Sequence, residues 1–178
     1  MLGARGVFAM KTMELHLTVN GISLNWSIAP GELLLDVLRR QGYFGVKRGC
    51  EMGECGACAV LLDGKPVNSC LMFAAQAEGR QILTIEGVAV DGKLDPVQEA
   101  FLDHGAVQCG FCTSGMVISA KALLDRCPDP SEDQVREALA GHLCRCTGYR
   151  KPVEAILAAA SKKKNRARRV KPVAEVAR

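Results

Sequence analysis

The chain has 178 residues, of which 48% are hydrophobic and 24% are charged, so it can bury a core and is neither disordered nor fibrous. Aromatic residues make up only 4%, which argues against a surface that stacks nucleic-acid bases. The net charge of +4 arises at the C-terminus, because residues 161–178 hold eight basic side chains and one glutamate while the remainder carries −3.

Two features of the sequence bear on its compartment. The longest stretches without charged residues, 15–31 and 104–120, are interrupted by polar residues or by proline and do not predict a membrane span. The apolar run 6–10 is too short for a secretory signal, and no twin-arginine pair precedes it. We therefore expect a cytoplasmic protein. Nine cysteines in a reducing compartment point to metal binding rather than to disulfides.

The first predicted elements form a hairpin and a helix. Residues 13–20 alternate strictly between apolar and polar side chains, as in a half-buried strand. Asn20-Gly21 is typical of a two-residue hairpin turn, and the alternation resumes through residues 22–26. Apolar residues then recur at helical spacing within 32–41, and Gly42 ends that predicted helix.

Three more strands are predicted before residue 87. Residues 58–62 and 66–70 flank Asp63-Gly64, which is another hairpin turn sequence. Residues 82–85 form the last predicted strand. This order of elements predicts a small mixed sheet with one helix packed across it.

The second half of the chain is predicted to be entirely helical. Asp95-Pro96 supplies an N-cap and a proline at the first helical position, with Gln98 completing a capping box. Helices are predicted over 96–104, 113–126, 131–140 and 152–160. The resulting division of the chain is an extension (1–11), a sheet domain (12–87), a linker (88–94), a helical domain (95–160) and a basic tail that we expect to be disordered (161–178).

One set of four cysteines has the spacing of a plant-type [2Fe–2S] site. The run GCEMGECGAC is C-x4-C-x2-C, and a fourth cysteine follows twelve positions later. We expect Gly49, Gly53 and Gly56 to adopt positive φ angles, which lets the loop wrap around a cluster and point N–H groups at sulfur. Zinc is the chemical rival, although this spacing is atypical for it. The predicted ligands are Cys50, Cys55, Cys58 and Cys70.

A second set of cysteines consists of two pairs about thirty residues apart. Each pair lies near a predicted helix N-terminus, where the helix dipole favours thiolate. Taken alone, C-x2-C…C-x-C is ambiguous between zinc and iron–sulfur, and the first set favours iron–sulfur. The members of this set are Cys109, Cys112, Cys144 and Cys146.

Four stretches together resemble the iron–sulfur subunit of the xanthine dehydrogenase family, the molybdenum hydroxylases. They are VKRGCEMGECGACAVLLDGKPVNSC, QILTIEG, VQCGFCTSGMVISAKALL and GHLCRCTGYRKPVEAI. The resemblance covers residues 12–160 and includes all eight cysteines in order. It departs at Glu51, where many members have glycine, at Ala59, where threonine is common, and at His142, where asparagine is usual.

The resemblance implies an α+β chain, in which a β-grasp ferredoxin-like domain precedes an all-α four-helix [2Fe–2S]-binding domain. It implies two [2Fe–2S] clusters, with a molybdopterin cofactor on a large partner subunit and FAD on a medium one, in a higher-order assembly. Gln108 matches a glutamine that family members place against the pterin. The chain would then relay electrons from molybdopterin to FAD or to an external acceptor, in a hydroxylase of aldehydes, N-heterocycles or CO.

Several alternatives remain open at this point. A free two-cluster ferredoxin-type carrier would share the cysteines, and a zinc module could use the basic tail to bind nucleic acid. Gln108 could cap the adjacent helix instead of contacting a pterin. Cys127 falls outside both sets, and we expect it to be a free structural thiol.

Overall fold

The computed structural model describes residues 11–169, and its side chains are described through residue 162. The N-terminal half forms the predicted mixed sheet with one helix. The order of elements along the chain confirms the prediction, with strand ends shifted by a few residues. The elements are β1 (Met13–Val19), β2 (Ile22–Ile28), α1 (Leu34–Arg40), β3 (Ala59–Leu62), β4 (Lys65–Asn68) and β5 (Gln81–Leu83).

The five strands lie in the order β2-β1-β5-β3-β4. β1 and β2 are antiparallel and pair Val19 with Ile22, as the two-residue turn at Asn20-Gly21 requires. β5 lies between β1 and β3, parallel to the first and antiparallel to the second. Because β5 pairs with β1, the last strand of the N-terminal half lies beside its first strand.

The sheet is covered on both faces. One face carries the alternating residues Leu15, Leu17 and Val19 of β1, which pack against the buried side of α1. The opposite face of β3 presents Ala59 and Leu61 to the helical half. All four residues of β3 are therefore buried, and this strand is shared by the two cores.

The C-terminal half consists of four helices, as predicted. Two of them begin with capping boxes, and the sequence predicts the one formed by Asp95 and Gln98. Asp95 Oδ1 accepts from the N–H of Val97 at 2.9 Å, and Ser131 Oγ accepts from the N–H of Gln134 at 3.2 Å. The helices are α2 (Pro96–Asp103), α3 (Thr113–Arg126), α4 (Glu132–Leu139) and α5 (Arg150–Arg169).

The structure differs from the sequence prediction at the end of α5. The helix continues past residue 160 to Arg169, through the first half of the segment predicted to be a disordered tail. Lysine, arginine and alanine are good helix formers, and Lys162 Nζ also donates to Asp103 Oδ2 at 2.8 Å. The predicted extension 1–11, apart from its last residue, and residues 170–178 lie outside the described residues. Within the described part of the chain, no helix is long and apolar enough to cross a bilayer.

Candidate metal centres

The first set of cysteines lies where the loop before β3 meets the end of the β3–β4 hairpin. Cys50 and Cys55 belong to the loop, and Cys58 directly precedes β3. Cys70 lies in a single 3₁₀ turn that follows β4. The Ser69 hydroxyl donates to the carbonyl of Cys58 at 2.8 Å and joins the two ends of the hairpin. Strand pairing therefore brings Cys58 and Cys70 together.

The four thiols of this set form two pairs. The side chain of Cys50 interacts with that of Cys55, and the side chain of Cys58 interacts with that of Cys70. Two pairs of thiols match the two irons of a [2Fe–2S] cluster that is held by four cysteines.

The glycines of the loop act in two different ways. Gly53 and Gly56 have φ angles of +81° and +66°, as predicted. The prediction is wrong for Gly49, whose φ is not positive. A Cβ at this position would lie 2.7 Å from Cys55 Sγ, so a glycine is required by close approach instead. Glu51 has a φ of +56°, and its carboxylate accepts from Arg48 at 2.7 Å. A non-glycine residue thus occupies a left-handed position in the loop.

Burial and hydrogen bonding act in opposite directions on the thiols of the first set. Backbone N–H groups, that of Met52 foremost, lower the pKa of Cys50 to about 7. Burial raises the pKa of the Cys58 thiol to about 11. The Met52 N–H lies 3.4 Å from Cys50 Sγ. The half-buried thiol of Cys50 is therefore prepared to bind a cation. The buried thiol of Cys58 loses its proton only when a cation binds.

The second set joins two loops of the helical half. Cys112 is the N-cap residue of α3, with Cys109 just before it. Cys144 and Cys146 lie between α4 and α5. The thiols again form two hydrogen-bonded pairs, Cys109 with Cys146 and Cys112 with Cys144. Weaker electrostatic interactions link the two pairs. Cys109 and Cys146 are exposed, so one edge of this site reaches the protein surface.

Thr147 controls the most acidic thiol of the second set. Burial by itself would raise the pKa of Cys144, but hydrogen bonds from the hydroxyl and the N–H of Thr147 outweigh it and bring the pKa to about 7. The hydroxyl lies 3.1 Å and the N–H lies 3.4 Å from Cys144 Sγ. Burial raises the pKa of Cys112 to about 12. This site therefore repeats the arrangement of one acidic and one buried thiol.

The donor sets fit iron–sulfur clusters better than single ions. Among the described residues, no three His, Cys, Asp or Glu side chains converge as a single metal ion would require. The thiols hydrogen-bond in pairs, two pairs to a site, as expected for a cluster of two irons. Structural zinc needs four ligands around one point.

The two sites touch each other through their backbones. The N–H of Leu143, next to Cys144, donates to the carbonyl of Cys55 at 3.0 Å. A Cβ on Gly115 of α3 would lie 2.2 Å from the carbonyl oxygen of Gly56. The cysteine loops of the two halves are therefore in direct contact.

His142 lies buried at this contact. Its Nε2 is 2.6 Å from the hydroxyl of Ser119, and a Cβ on Gly56 would come within 2.2 Å of its Nδ1. Burial lowers the pKa of its imidazole, so the ring is neutral. The sequence singles out His142 only as a departure from the asparagine that is usual in the family. The structure shows that it packs between the two sites.

Comparison with known proteins decides the family. Residues 17–84 match a 2Fe-2S iron-sulfur cluster binding domain, and residues 84–157 match a [2Fe-2S] binding domain. The chain is 50% identical over 141 residues to the nicotinate dehydrogenase small FeS subunit of Eubacterium barkeri, covering 79% of this chain and 90% of that subunit. It is 47% identical over 152 residues to the xanthine dehydrogenase iron-sulfur-binding subunit of Escherichia coli O157:H7, covering 83% and 94%. This chain is an iron–sulfur subunit of the xanthine dehydrogenase family.

The solved structures agree with this assignment. Quinoline 2-oxidoreductase from Pseudomonas putida 86 superposes with a TM-score of 0.83 at 44% identity, over 86% of this chain and 97% of that chain. The ferredoxin-like β-grasp domain and the helical domain expected of this family are thus both present, each with its own [2Fe–2S] binding unit.

Three further residues lie near the sites but outside the thiol pairs of this iron–sulfur subunit, and the sequence analysis names two of them, Gln108 and Cys127. Gln108 is exposed beside Cys109, and the first turn of α3 has no side-chain cap, so the capping alternative finds no support. Cys127 is the C-cap residue of α3, with its Sγ 3.9 Å from Gln134 Oε1. The Tyr149 hydroxyl accepts from the N–H of Cys144 at 2.8 Å, which is a structural role.

Sequence reasoning missed two polar residues at these sites. Thr147 could have been found as a hydroxyl three positions after a ligand candidate, a spacing at which threonine can bond back to its own loop. Asn68 donates from Nδ2 to the carbonyl of Gly53 at 2.9 Å and so ties β4 to the first loop. No local pattern in the sequence predicts the contact between Asn68 and Gly53.

Proposed function

We propose that this subunit relays electrons from a molybdopterin centre on a large partner subunit to FAD on a medium subunit or to an external acceptor. The complex would hydroxylate an aldehyde, an N-heterocycle or CO. The observation that carries the proposal is the hydrogen bond from Leu143 to Cys55, because it joins the two cysteine loops directly. Electron transfer between the sites then needs no movement of the two halves.

The proposed ligands are the four thiols of each set. The [2Fe–2S] clusters would supply reversible one-electron reduction, which links the two-electron chemistry of molybdenum and flavin. The protein contributes hydrogen bonds to sulfur, from Met52 at Cys50 and from Thr147 at Cys144. Such hydrogen bonds stabilise an anionic cluster and help to set its potential. The proposed ligands are Cys50, Cys55, Cys58, Cys70, Cys109, Cys112, Cys144 and Cys146.

Each site has one edge at the surface, as a relay between partners requires. At the second site, exposed Cys109 and Gln108 form an edge that would face the molybdopterin, with the Gln108 amide as a hydrogen-bonding partner of the pterin. At the first site, the exposed apolar side chain of Met52 belongs to the loop, and that of exposed Leu71 lies against Gly53 of the same loop. Exposed apolar residues of this kind are typical of protein interfaces, and we assign them to the flavin side.

The free ferredoxin-type carrier remains the competing function. It would require the exposed apolar residues to face water, which is unfavourable. Thiols that must stay reduced to bind iron favour a cytoplasmic complex in either case.

Anaerobic purification of the native protein tests the proposal. We expect one large complex that contains molybdenum, flavin, and two irons and two sulfides for each cluster. Adding the substrate should bleach the cluster absorbance before an external acceptor is supplied. A chain that carries full clusters but migrates alone would instead support the free carrier.

A further inference from the structure

Lys47 is held by both cysteine sites at once. Its backbone N–H donates to the carbonyl of Ala57, between Cys55 and Cys58, at 3.0 Å. Its Nζ donates to the carbonyls of Gly110 and Phe111 at 2.8 and 3.2 Å. These are the two residues between Cys109 and Cys112. The main chain of Lys47 thus belongs to the first site and its ammonium group to the loop of the second.

Among the described residues, no carboxylate forms an ion pair with Lys47. Its partners among the described residues are neutral: two carbonyl oxygens and the ring of Phe111, whose centroid lies 5.5 Å from Nζ. The residue is half-buried, so water screens its charge incompletely. The charge is therefore felt by neighbouring groups.

A fixed cation next to an iron–sulfur cluster favours the reduced state. Adding an electron makes an already anionic cluster more negative, and the cation stabilises that added charge. Because Nζ donates to both carbonyls between Cys109 and Cys112, we assign its larger effect to the second site.

We propose that Lys47 raises the reduction potential of the second cluster above the value that its thiolates alone would give, and so sets the electron distribution between the clusters. The step concerned is the transfer of one electron, with no proton, from the reduced second cluster to the oxidised first cluster. Loss of the charge shifts that equilibrium towards the reduced first cluster. The proposal rests on the ligand assignment made above.

The experiment is an EPR-monitored redox titration of the full chain in its native complex. We expect Lys47→Met to lower the equilibrium constant for reducing the second cluster about tenfold, which is about 59 mV for one electron. The first cluster should shift by less. Lys47→Arg keeps the charge and should retain the native potentials. Lys65→Met removes an exposed lysine at the tip of the β3–β4 hairpin and should change neither potential.

The outcomes separate this proposal from the proposed function. Native potentials in a Lys47→Met complex with full iron content would overturn the role of Lys47 and leave the relay intact. Equal shifts at both clusters would overturn the claim that Lys47 sets their difference. If Lys47→Met loses iron, Lys47→Gln takes its place, because its amide can still donate to the carbonyls but carries no charge. The reduction potentials of both clusters in Lys47→Gln then test the proposal by the same criteria. Zinc or a single cluster in the unmodified protein would instead overturn the relay itself.

Discussion

The N–H of Leu143 donates to the carbonyl of Cys55 across the contact between the two halves, with 3.0 Å between nitrogen and oxygen. This approach is possible because glycines line the contact. Gly115 leaves room for the carbonyl of Gly56, and Gly56 leaves room for the imidazole of His142. The positions of the two cysteine sites relative to each other therefore depend on having glycine, with no side chain, at positions 56 and 115.

Gly56→Ala should destabilise the protein far more than a matched glycine substitution. Its added Cβ would meet His142 Nδ1 at 2.2 Å and the carbonyl of Gly141 at 2.4 Å. The left-handed backbone conformation and the overpacking together should lower the free energy of unfolding by about 3 kcal/mol or more. Gly64→Ala is the control, because Gly64 has a φ of +78° with nothing within 4 Å and should lose only about 1 kcal/mol. Thermal unfolding of the two variants, with iron analysis, measures the difference. Similar losses would mean that the close approach at Gly56 is unimportant.

His142 should make the protein sensitive to mild acid. Burial holds the pKa of its imidazole below the ordinary value of 6.5, although the Gly56 backbone partly opposes this shift. As the pH falls, the unfolded chain therefore takes up the proton first, and stability that is complete above pH 6.5 declines below it. The free energy of unfolding can fall by up to about 1.4 kcal/mol for each unit by which the pH decreases.

Urea unfolding between pH 5 and 7 tests this expectation. His142→Asn should flatten the decline below about pH 6.5. An identical acid response in the unmodified protein and in His142→Asn would contradict it.

The cysteines of the cluster-free protein should react with an alkylating agent in a fixed order. Thiolate is the reactive form, and its fraction rises with pH through the pKa. Cys50 and Cys144, each with a pKa of about 7, should be about half ionised at neutral pH. Cys58 and Cys112, with pKa values of about 11 and 12, should resist labelling below pH 9. Peptide mass mapping after brief labelling at pH 7 reads out the order. The order should vanish in urea, and its persistence there would show that intrinsic reactivity, not the fold, determines it.

Local patterns in the sequence predicted the elements, and contacts between distant segments supplied what the patterns could not. Asn20-Gly21 fixes both the turn and the register of β1 and β2, because a two-residue hairpin allows only one pairing. The positive φ of Gly53 follows from the wrapping of its loop. The role of Gly49 does not, because it depends on where Cys55 Sγ lies in space.

The same limit applies to His142 and to α5. Nothing within GHLCRC reveals that His142 meets Gly56, which is 86 positions earlier in the sequence. The basic residues after 160 suggested disorder by composition, yet their helix propensity and the contact from Lys162 to Asp103 carry α5 onward to Arg169.

Cys127→Ser should leave the iron content unchanged, whereas Cys112→Ser should remove the second cluster. Both cysteines flank α3, whose 14 residues separate them by about 21 Å, too far for Cys127 to reach a cluster that Cys112 binds. At its own end, the Cys127 N–H donates to the carbonyl of Leu123 at 2.7 Å, a cap that serine preserves. Iron and sulfide analysis of the purified complexes gives the comparison. We expect the native content in Cys127→Ser and about half of it in Cys112→Ser, since each cluster has two irons. Iron loss from Cys127→Ser without loss of folding, as judged by circular dichroism, would mean that a ligand has been assigned to the wrong cysteine.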